Sequence, residues 1–358
     1  MLRFILGASG VGKTTYIYDE IIRESIANMD KNYILLVPDQ FTMETQKDIV
    51  VEHPMHGVMN IDILSFGRLA FRVFEELGIN RLSILDDTGK TLLLRHAIEA
   101  NKEKLKLFYD KHKYFGFVEE MKSSISELYQ YGVTPEQLDK VIEDTKDHKA
   151  TSMKLHDIKV VYEAFQKEVA SINDGENTYI TKEEVLSKLC EVIGESKIVK
   201  DSIIYLDGFT GFTPVQNRLL SLLLECADSV NIALTLPKEE CENLTEVGFS
   251  EIKEHELFAM SKETINTLMS MSSDRHICTE KPVIIGKTEE SRFGRKEVLG
   301  HIEENIFRYE AAENINVDDS FEIFVAENSM EETSFIAEKI SELVRESKGS
   351  LRYRDIGV

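Results

Sequence analysis

Residues 2–27 read LRFILGASGVGKTTYIYDEIIRESIA, and this stretch decides the fold. Its first five residues are an apolar run of the kind that forms a buried strand, and from Tyr16 onward apolar residues recur at helical spacing. The loop between them matches the pattern GxxxxGK followed by Ser or Thr. Its fixed positions are Gly7, Gly12, Lys13 and Thr14. The order of strand, glycine loop and helix predicts a phosphate-binding loop.

The chemistry of such a loop requires these residue types in this order. Backbone N–H groups of a tight glycine turn surround the phosphates, Lys13 neutralises the β and γ groups, and the Thr14 hydroxyl binds Mg²⁺. The alternative for the loop is a glycine-rich turn with an exposed lysine, and for Thr15 an ordinary place at a helix start. We expect ATP and Mg²⁺ as ligands. The expected nucleotide contacts are Gly7, Ala8, Ser9, Gly10, Val11, Gly12, Lys13, Thr14 and Thr15.

Further short apolar runs alternate with helical patterns along the chain. They are NYILLVPDQ (32–40), MNIDILSF (59–66), SIIYLD (202–207) and VNIALTLP (230–237). Such alternation predicts an α/β fold with a parallel sheet covered on both faces. From about Asp86 to Glu195 only amphipathic helical patterns occur, so we expect an all-helical insertion that no strand interrupts. The run FEIFV (321–325) followed by a helical pattern predicts the start of a second α/β domain.

These patterns divide the chain into four parts. Residues 1–85 are the first part of the phosphate-loop domain, and 86–195 are the helical insertion. Residues 196–317 are the second part of that domain with a helical linker, and 318–358 begin a truncated second domain. SLRYRDIGV (350–358) is typical of a loop that leads into a strand, so we expect the chain to be a fragment of a longer protein.

Composition limits the class of protein. The 358 residues are 42% apolar, which suits a globular protein with ordinary cores. There is neither a signal peptide nor a run of about 18 apolar residues, so we expect a soluble, cytoplasmic protein. The net charge of −22 argues against indiscriminate binding to nucleic acid but leaves room for a local basic groove. The four cysteines lack the spacing of a zinc or iron–sulfur site.

A second motif, IIYLDGFTGFTPVQ (203–216), ends an apolar strand in Asp207. In ATPases with a phosphate loop, an aspartate at such a strand end holds Mg²⁺, and a nearby acidic group polarises the attacking water. Asp207 is therefore the expected Mg²⁺ partner of Thr14. The alternative is an aspartate that only caps the following turn. Gly208 stands where the acidic group is usual, so we assign no catalytic residue and expect weak or absent hydrolysis.

The order of these parts resembles superfamily-1 DNA helicases of the UvrD type. The segments that carry the resemblance are the glycine loop, ILLVPDQFT (34–42), ILSFGRLAFRVF (63–74) and LDGFTGFTPVQNRLLSLLL (206–224). The acidic motif of those helicases reads roughly DEFQDTNxxQ. In that alignment Asp207 matches the Mg²⁺ aspartate and Gln216 the final glutamine, while Gly208, Thr210 and Gly211 replace a glutamate, a glutamine and an aspartate.

An intact phosphate loop beside a degenerate acidic motif is similar to the AddB or RexB family, the B subunits of bacterial ATP-dependent helicase–nucleases. The resemblance implies a RecA-like phosphate-loop sheet and a heterodimer with an AddA- or RexA-type motor subunit. It also implies single-stranded and broken-end duplex DNA as partners, double-strand break repair, and a scan for the Chi sequence. The family's nuclease domain and its iron–sulfur cluster would lie beyond Val358.

The same resemblance selects candidate DNA contacts. By family position these are Thr42, in the loop after VPD, and Arg68, in the segment that begins at Ser65. Phe66 and Phe71 also fit the buried face of a helix, and Arg68 fits a solvated or ion-paired side chain. In the helical insertion, KEKLKLFYDKHKYFGF (102–117) interleaves lysines with aromatic residues, which is typical of single-strand binders and equally of a helix pair with partly buried lysine stems.

Two other classes of function remain open from the sequence. One is a self-sufficient ATPase, helicase or phosphotransferase whose base comes from elsewhere, for instance from Glu44 or Asp39. The other is a purely structural subunit in which even ATP binding is vestigial.

Overall fold

The structure of the chain is a computed structural model that describes residues 1–57, 59–79, 81–111, 114–173, 178–294, 297–307 and 320–358. The chain divides into two compact units, Met1–Ser291 and Arg292–Val358, each of which is described by itself. His112 and Lys113 of the lysine-aromatic cluster, and residues 318–319 of the expected second domain, lie outside the described residues. Within the described part, no helix is long and apolar enough to cross a membrane.

A six-stranded parallel sheet forms the centre of the first unit. Its strands are β1 (Leu2–Gly7), β2 (Tyr33–Leu36), β3 (Ile61–Leu64), β6 (Ile203–Leu206), β7 (Ser229–Thr235) and β8 (Val283–Ile285). Their order across the sheet is β3-β2-β6-β7-β1-β8. The predicted α/β fold with a parallel sheet is confirmed, although the edge strand β8 was not predicted.

Helices surround this sheet and form the segment that precedes β6. Those of the first unit are α1 (Lys13–Ala27), α2 (Thr42–Glu52), α3 (Phe66–Glu76), α4 (Asp87–Asn101), α5 (Phe115–Tyr131), α6 (Pro135–Asp144), α7 (Lys149–Ser171), α8 (Glu184–Val192), α9 (Pro214–Cys226) and α10 (Ala259–Asp274). The second unit contains α11 (Glu297–Asn305) and α12 (Ser329–Glu346).

Both faces of the sheet are buried, as the near-continuous apolar strands require. In β1, Leu2, Phe4 and Leu6 pack in one core with α3, α8, α9 and α10, whereas Ile5 packs in a second core with α1 and α2. Successive side chains of a strand point to opposite faces, so one strand serves both cores. All strands run parallel, so the loops after β1, β2, β3 and β6 lie together where the strands have their carboxyl ends. We call this end of the sheet the carboxyl edge.

The helices from α4 to α7 have their own hydrophobic core, built mainly from α4, α5 and α7. The prediction that no strand interrupts the helical insertion at 86–195 is wrong, because β5 (Thr178–Ile180) pairs in parallel with β4 (Leu82–Ile84). Each strand has three residues, and its partner lies far away in the sequence. Local periodicity does not reveal so short a pairing.

In the second unit, the strand predicted at residues 321–325 is not formed. All five side chains are exposed, and the ring of Phe324 stacks on that of Phe335 in α12 with 3.6 Å between centroids. A strand needs a neighbour for its backbone hydrogen bonds, and the described residues of this unit offer none to this segment. Residues 350–358 were expected to be a loop that leads into a strand. They contain a short 3₁₀ helix, Tyr353–Asp355, and residues 356–358 form no strand.

Candidate functional site

The glycine loop joins β1 to α1 at the carboxyl edge, and three of its glycines are required by geometry. A Cβ atom at Gly7 would lie 2.7 Å from Val11 Cγ2 and 2.9 Å from the carbonyl oxygen of Ile285. Gly10 and Gly12 have φ angles of 74° and 100°, in the left-handed region that favours glycine. The loop therefore keeps its shape only with glycine at these positions.

The loop leaves the start of α1 open to an anion. Gly12 is the N-cap and provides no side-chain hydrogen bond, and no acidic residue occurs in the first turn. The first N–H groups of a helix have no partner within the helix, and they carry the positive end of its dipole. Ala8, Ser9, Val11 and Thr15 lie in or beside this turn, so all nine predicted nucleotide contacts belong to one continuous segment.

Lys13 bends back over the loop. Its Nζ donates hydrogen bonds to the carbonyl oxygens of Gly7 (2.9 Å) and Ala8 (2.8 Å). Burial lowers the pKa of the half-buried Lys13 ammonium, and the nearby Asp207 carboxylate opposes that shift. Two backbone carbonyl groups of the glycine loop thus hold the Lys13 cation in place.

Thr14 and Asp207 are brought into direct contact. Thr14 Oγ1 donates a 2.7 Å hydrogen bond to Asp207 Oδ2, although 193 residues separate them in the sequence. Asp207 follows β6 directly and is only 8% exposed. Its strand lies two places from β1 in the sheet, which puts the two residues at the same edge. The pair offers a hydroxyl and a carboxylate, the oxygen ligands that suit Mg²⁺.

Thr14 and Asp207 form an open site that suits Mg²⁺. Among the described residues, no group of three or more His, Cys, Asp or Glu side chains is placed to hold a metal ion. Mg²⁺ keeps several waters and takes one or two protein oxygens together with substrate phosphates. Thr14 and Asp207 beside an anion-accepting loop therefore meet its requirements without a protein cage.

Gly208 has a structural role that its sequence position did not reveal. Its φ angle is 78°, and its N–H donates a 2.9 Å hydrogen bond to Oδ1 of Asp207. An added Cβ would lie 3.3 Å from Pro38 Cδ, a tight contact with the loop after β2. Gly208 thus orients the Asp207 carboxylate through its backbone N–H.

The two predicted DNA contacts differ in accessibility. Thr42 is 1% exposed, and its Oγ1 donates a 3.0 Å hydrogen bond to the Asp39 carbonyl at the start of α2. Arg68 lies in the first turn of α3, where its backbone N–H donates to Ser65 Oγ (3.3 Å), and its side chain is exposed. Both follow strands at the carboxyl edge, but only Arg68 presents its side chain to solvent.

Phe66, two residues before Arg68, belongs to an aromatic cluster. Phe66 is buried and packs on Phe209 and Phe212, with ring centroids 5.3 Å and 6.3 Å away. The alternative of a buried helix face therefore holds for Phe66 but not for Phe71, which is 46% exposed at an edge contact with Phe74. The cluster connects α3 to the loop that follows Asp207.

The alternative bases are both exposed. Asp39 begins the short 3₁₀ helix after β2, and Glu44 lies in the first turn of α2. No hydrogen bond joins either carboxylate to Thr14 or Asp207 within the described part of the chain. The arrangement around Asp207 therefore gives no support to a base from these two residues.

Most of the chain matches a known protein family. A family model described as "ADDB, N-terminal" matches residues 4–303. Over its full length, the chain is 38% identical to the B subunit of the ATP-dependent helicase/deoxyribonuclease of Lachnoclostridium phytofermentans. It is 31% identical to the proteins of the same name from Clostridium novyi and Clostridium kluyveri, over 99% and 100% of its length. It spans about 30% of the length of each of these relatives.

Proposed function

The chain belongs to the family of ATP-dependent helicase/deoxyribonuclease B subunits, and from that premise we propose that it is a nucleotide- and single-strand-binding N-terminal region. Residues 1–85 and the strands that follow Glu195 would form one RecA-like domain with a helical insertion at 86–195, and residues 318–358 would begin a second. ATP and Mg²⁺ would be its ligands, with weak or absent hydrolysis.

The observation that carries this proposal is the contact between Thr14 and Asp207 beside Lys13. Bound Mg²⁺ would neutralise negative charge on the phosphates. The chain's own residues do the rest: the glycine loop surrounds the phosphates, Lys13 neutralises their charge, and Thr14 and Asp207 hold the metal. Gly208 provides no acidic side chain to orient water, which supports a nucleotide that is bound but hardly cleaved.

The proposal extends to DNA through the exposed residues of the carboxyl edge. Arg68 supplies a cation there, whereas buried Thr42 would serve through the shape of its loop. In the whole protein, the partners would be a motor subunit of the AddA or RexA type, single strands and broken duplex ends. Double-strand break repair, a scan for Chi, and a nuclease with an iron–sulfur cluster in the remaining length of the protein belong to the same proposal.

Asp207→Asn tests the metal site. We expect the wild-type chain to bind a fluorescent ATP analogue saturably, with Mg²⁺ strengthening binding, and the variant to lose about tenfold in affinity only when Mg²⁺ is present, because an amide is a weaker ligand for a hard cation. Asp228→Asn, at the opposite edge of the sheet, is the matched control. Binding without saturation or Mg²⁺ dependence in the wild type would favour a vestigial site, and rapid Lys13-dependent turnover by the chain alone would favour a self-sufficient ATPase.

Gly208→Glu tests whether hydrolysis fails only for want of a carboxylate. We expect the free energy of unfolding to fall by about 2 kcal/mol, because a side chain is strained at φ 78° and meets Pro38. We also expect no measurable ATPase activity, since the altered backbone would no longer hold Asp207. Urea unfolding and steady-state phosphate release measure the two effects.

The control for that substitution is Gly116→Glu in α5, where an added Cβ meets no atom within 4 Å. Glutamate favours a helix more than glycine does, so this variant should be at least as stable as the wild type. Strong ATP hydrolysis by Gly208→Glu would contradict our account of the position.

A further inference from the structure

Residues 102–111 form a basic loop on a strongly acidic chain, and we call this segment the lysine loop. Lys102, Lys104, Lys106 and Lys111 oppose two acids, Glu103 and Asp110, so the loop carries a net charge of +2 while the whole chain carries −22. It begins as a short 3₁₀ helix after α4. A local excess of lysine on an acidic protein marks a surface suited to a polyanion.

Asp157 of α7 holds the backbone of the lysine loop by hydrogen bonds. This carboxylate is 0% exposed and accepts hydrogen bonds from the backbone N–H groups of Lys106 (2.7 Å), Leu107 (2.7 Å) and Phe108 (2.9 Å). Three amides converging on one buried carboxylate leave the loop little freedom. Lys106 and Leu107 are exposed beside this anchor.

The aromatic and apolar residues of the lysine loop, together with Tyr114 just after it, include a buried and an exposed group. Leu105 is buried in the helical core, and the ring of Phe108 packs on that of Phe117 with 5.1 Å between centroids. Tyr109 and Tyr114 are instead 61% and 63% exposed. Leu105 and Phe108 thus pack on the helical core, while the two tyrosines present their rings to solvent beside the lysines.

Three of the four lysines have no acidic partner among the residues that the structure describes. Lys104 Nζ donates to the neutral side-chain oxygen of Asn101 (2.8 Å), and Lys106 and Lys111 are exposed. Lys111 Nζ lies 5.7 Å from the ring centroid of Tyr114. Lys102 differs, since it pairs with Glu99 at 2.6 Å. The surface therefore combines cations, for a phosphate backbone, with aromatic faces.

We propose that the lysine loop, with Tyr114, is a binding surface for single-stranded nucleic acid. Cations that follow a backbone and aromatic rings that stack on bases are the two components of single-strand binding. In a duplex the faces of the bases are already stacked on one another, so exposed tyrosines favour a single strand. This inference rests on the proposed single-strand function and adds a second contact surface, in the helical insertion.

The test uses the 358-residue chain and a fluorescein-labelled oligothymidylate of about 20 nucleotides, long enough to span several phosphates and bases. The variant Lys104→Gln/Lys106→Gln/Tyr109→Ser should bind it about tenfold more weakly than the wild type, measured by fluorescence anisotropy at low salt. The slope of log K against log salt should become shallower by about 1.4, because two phosphate contacts are lost. ATP binding should be unchanged.

Two further variants control for folding and for general charge. Lys104→Arg/Lys106→Arg/Tyr109→Phe keeps the charges and the ring, so it should retain wild-type binding. Lys140→Gln/Lys146→Gln/Tyr131→Ser makes the same changes at exposed positions at the end of α5, within α6 and just after α6, and it should also bind normally. Weak binding by either variant would contradict the assignment to the lysine loop.

The outcomes separate this inference from the proposed function. If the first variant binds oligothymidylate as the wild type does, the lysine loop is not the surface, and the proposed function stands. If the wild type binds ATP but no oligothymidylate, the inference and the DNA part of the proposed function both fail. An equal loss of affinity for a blunt duplex would overturn the assignment to single strands.

Discussion

Replacing Lys13 with alanine is expected to weaken ATP binding about 100-fold, because removing one partner of a partly buried charge contact typically costs about 2–5 kcal/mol. The Lys13 ammonium is already held at the glycine loop by the carbonyl groups of Gly7 and Ala8. Bound phosphates would therefore meet a positioned cation rather than a flexible one. Titration of a fluorescent ATP analogue in the presence of Mg²⁺ measures the loss.

The fold should survive this substitution. The loop conformation is set by its glycines and by the strand and helix that flank it, so thermal unfolding should change little. Lys47→Ala, at an exposed position of α2, is the matched control and should bind ATP normally. Equal affinity in Lys13→Ala and the wild type would remove the glycine loop from the binding site.

The pH dependence gives an independent readout of the same residue. Burial lowers the pKa of Lys13 below its ordinary value of 10.5, and the ammonium is charged only below that pKa. ATP affinity of the wild type should therefore decline as the pH rises through a value below 10.5. Lys13→Ala should lack this decline.

Asp157→Ala is expected to lower the free energy of unfolding of the helical segment by about 3 kcal/mol, because three backbone amides lose a charged, fully buried acceptor. The exchange of the amide hydrogens of residues 106–108 should accelerate strongly. Urea unfolding and native-state hydrogen exchange measure these two effects. They report on the anchor of the lysine loop without reference to any ligand.

Two further substitutions serve as controls for the size of this stability loss. Asp157→Asn keeps one oxygen that can accept from Leu107 and Phe108, whereas its NH₂ group would face the N–H of Lys106, so it should lose less stability than the alanine variant, about 2 kcal/mol. Asp147→Ala, at an exposed position just before α7, should change stability by roughly 0.5 kcal/mol or less. Wild-type exchange of amides 106–108 in Asp157→Ala would show that the carboxylate does not hold the loop.

Asp157 also shows what sequence reasoning missed. It lies on the helical pattern SMKLHDIKVVYEAF (152–165), four residues before buried Val161 and thus on the apolar stripe of the helix. An acid at such a position is rarely buried without a partner. That signal was present, but the partner amides lie about 50 residues away and no local pattern identifies them.

The parts that the sequence by itself determined are local. The strand, glycine loop and helix of residues 2–27 were predictable because a left-handed backbone requires glycine and because apolar periodicity follows helix geometry. The alternation of strands and helices likewise predicted the parallel sheet. The acidic strand end at Asp207 was visible for the same reason, since its strand is a short apolar run.

The parts that only the tertiary structure decided depend on strand order and on contacts between distant segments. Thr14 meets Asp207 because β6 lies two places from β1, and pairing between strands leaves no trace in the sequence of either one. Thr42 was a candidate contact by its position after β2, and its burial beside the Asp39 carbonyl became visible only in the structure. Gly208 looked like a missing side chain, yet it has a left-handed backbone, and an added Cβ would meet Pro38 after the neighbouring strand β2. Local patterns predicted most of the elements, whereas packing between elements decided which side chains meet and left residues 321–325 without a strand.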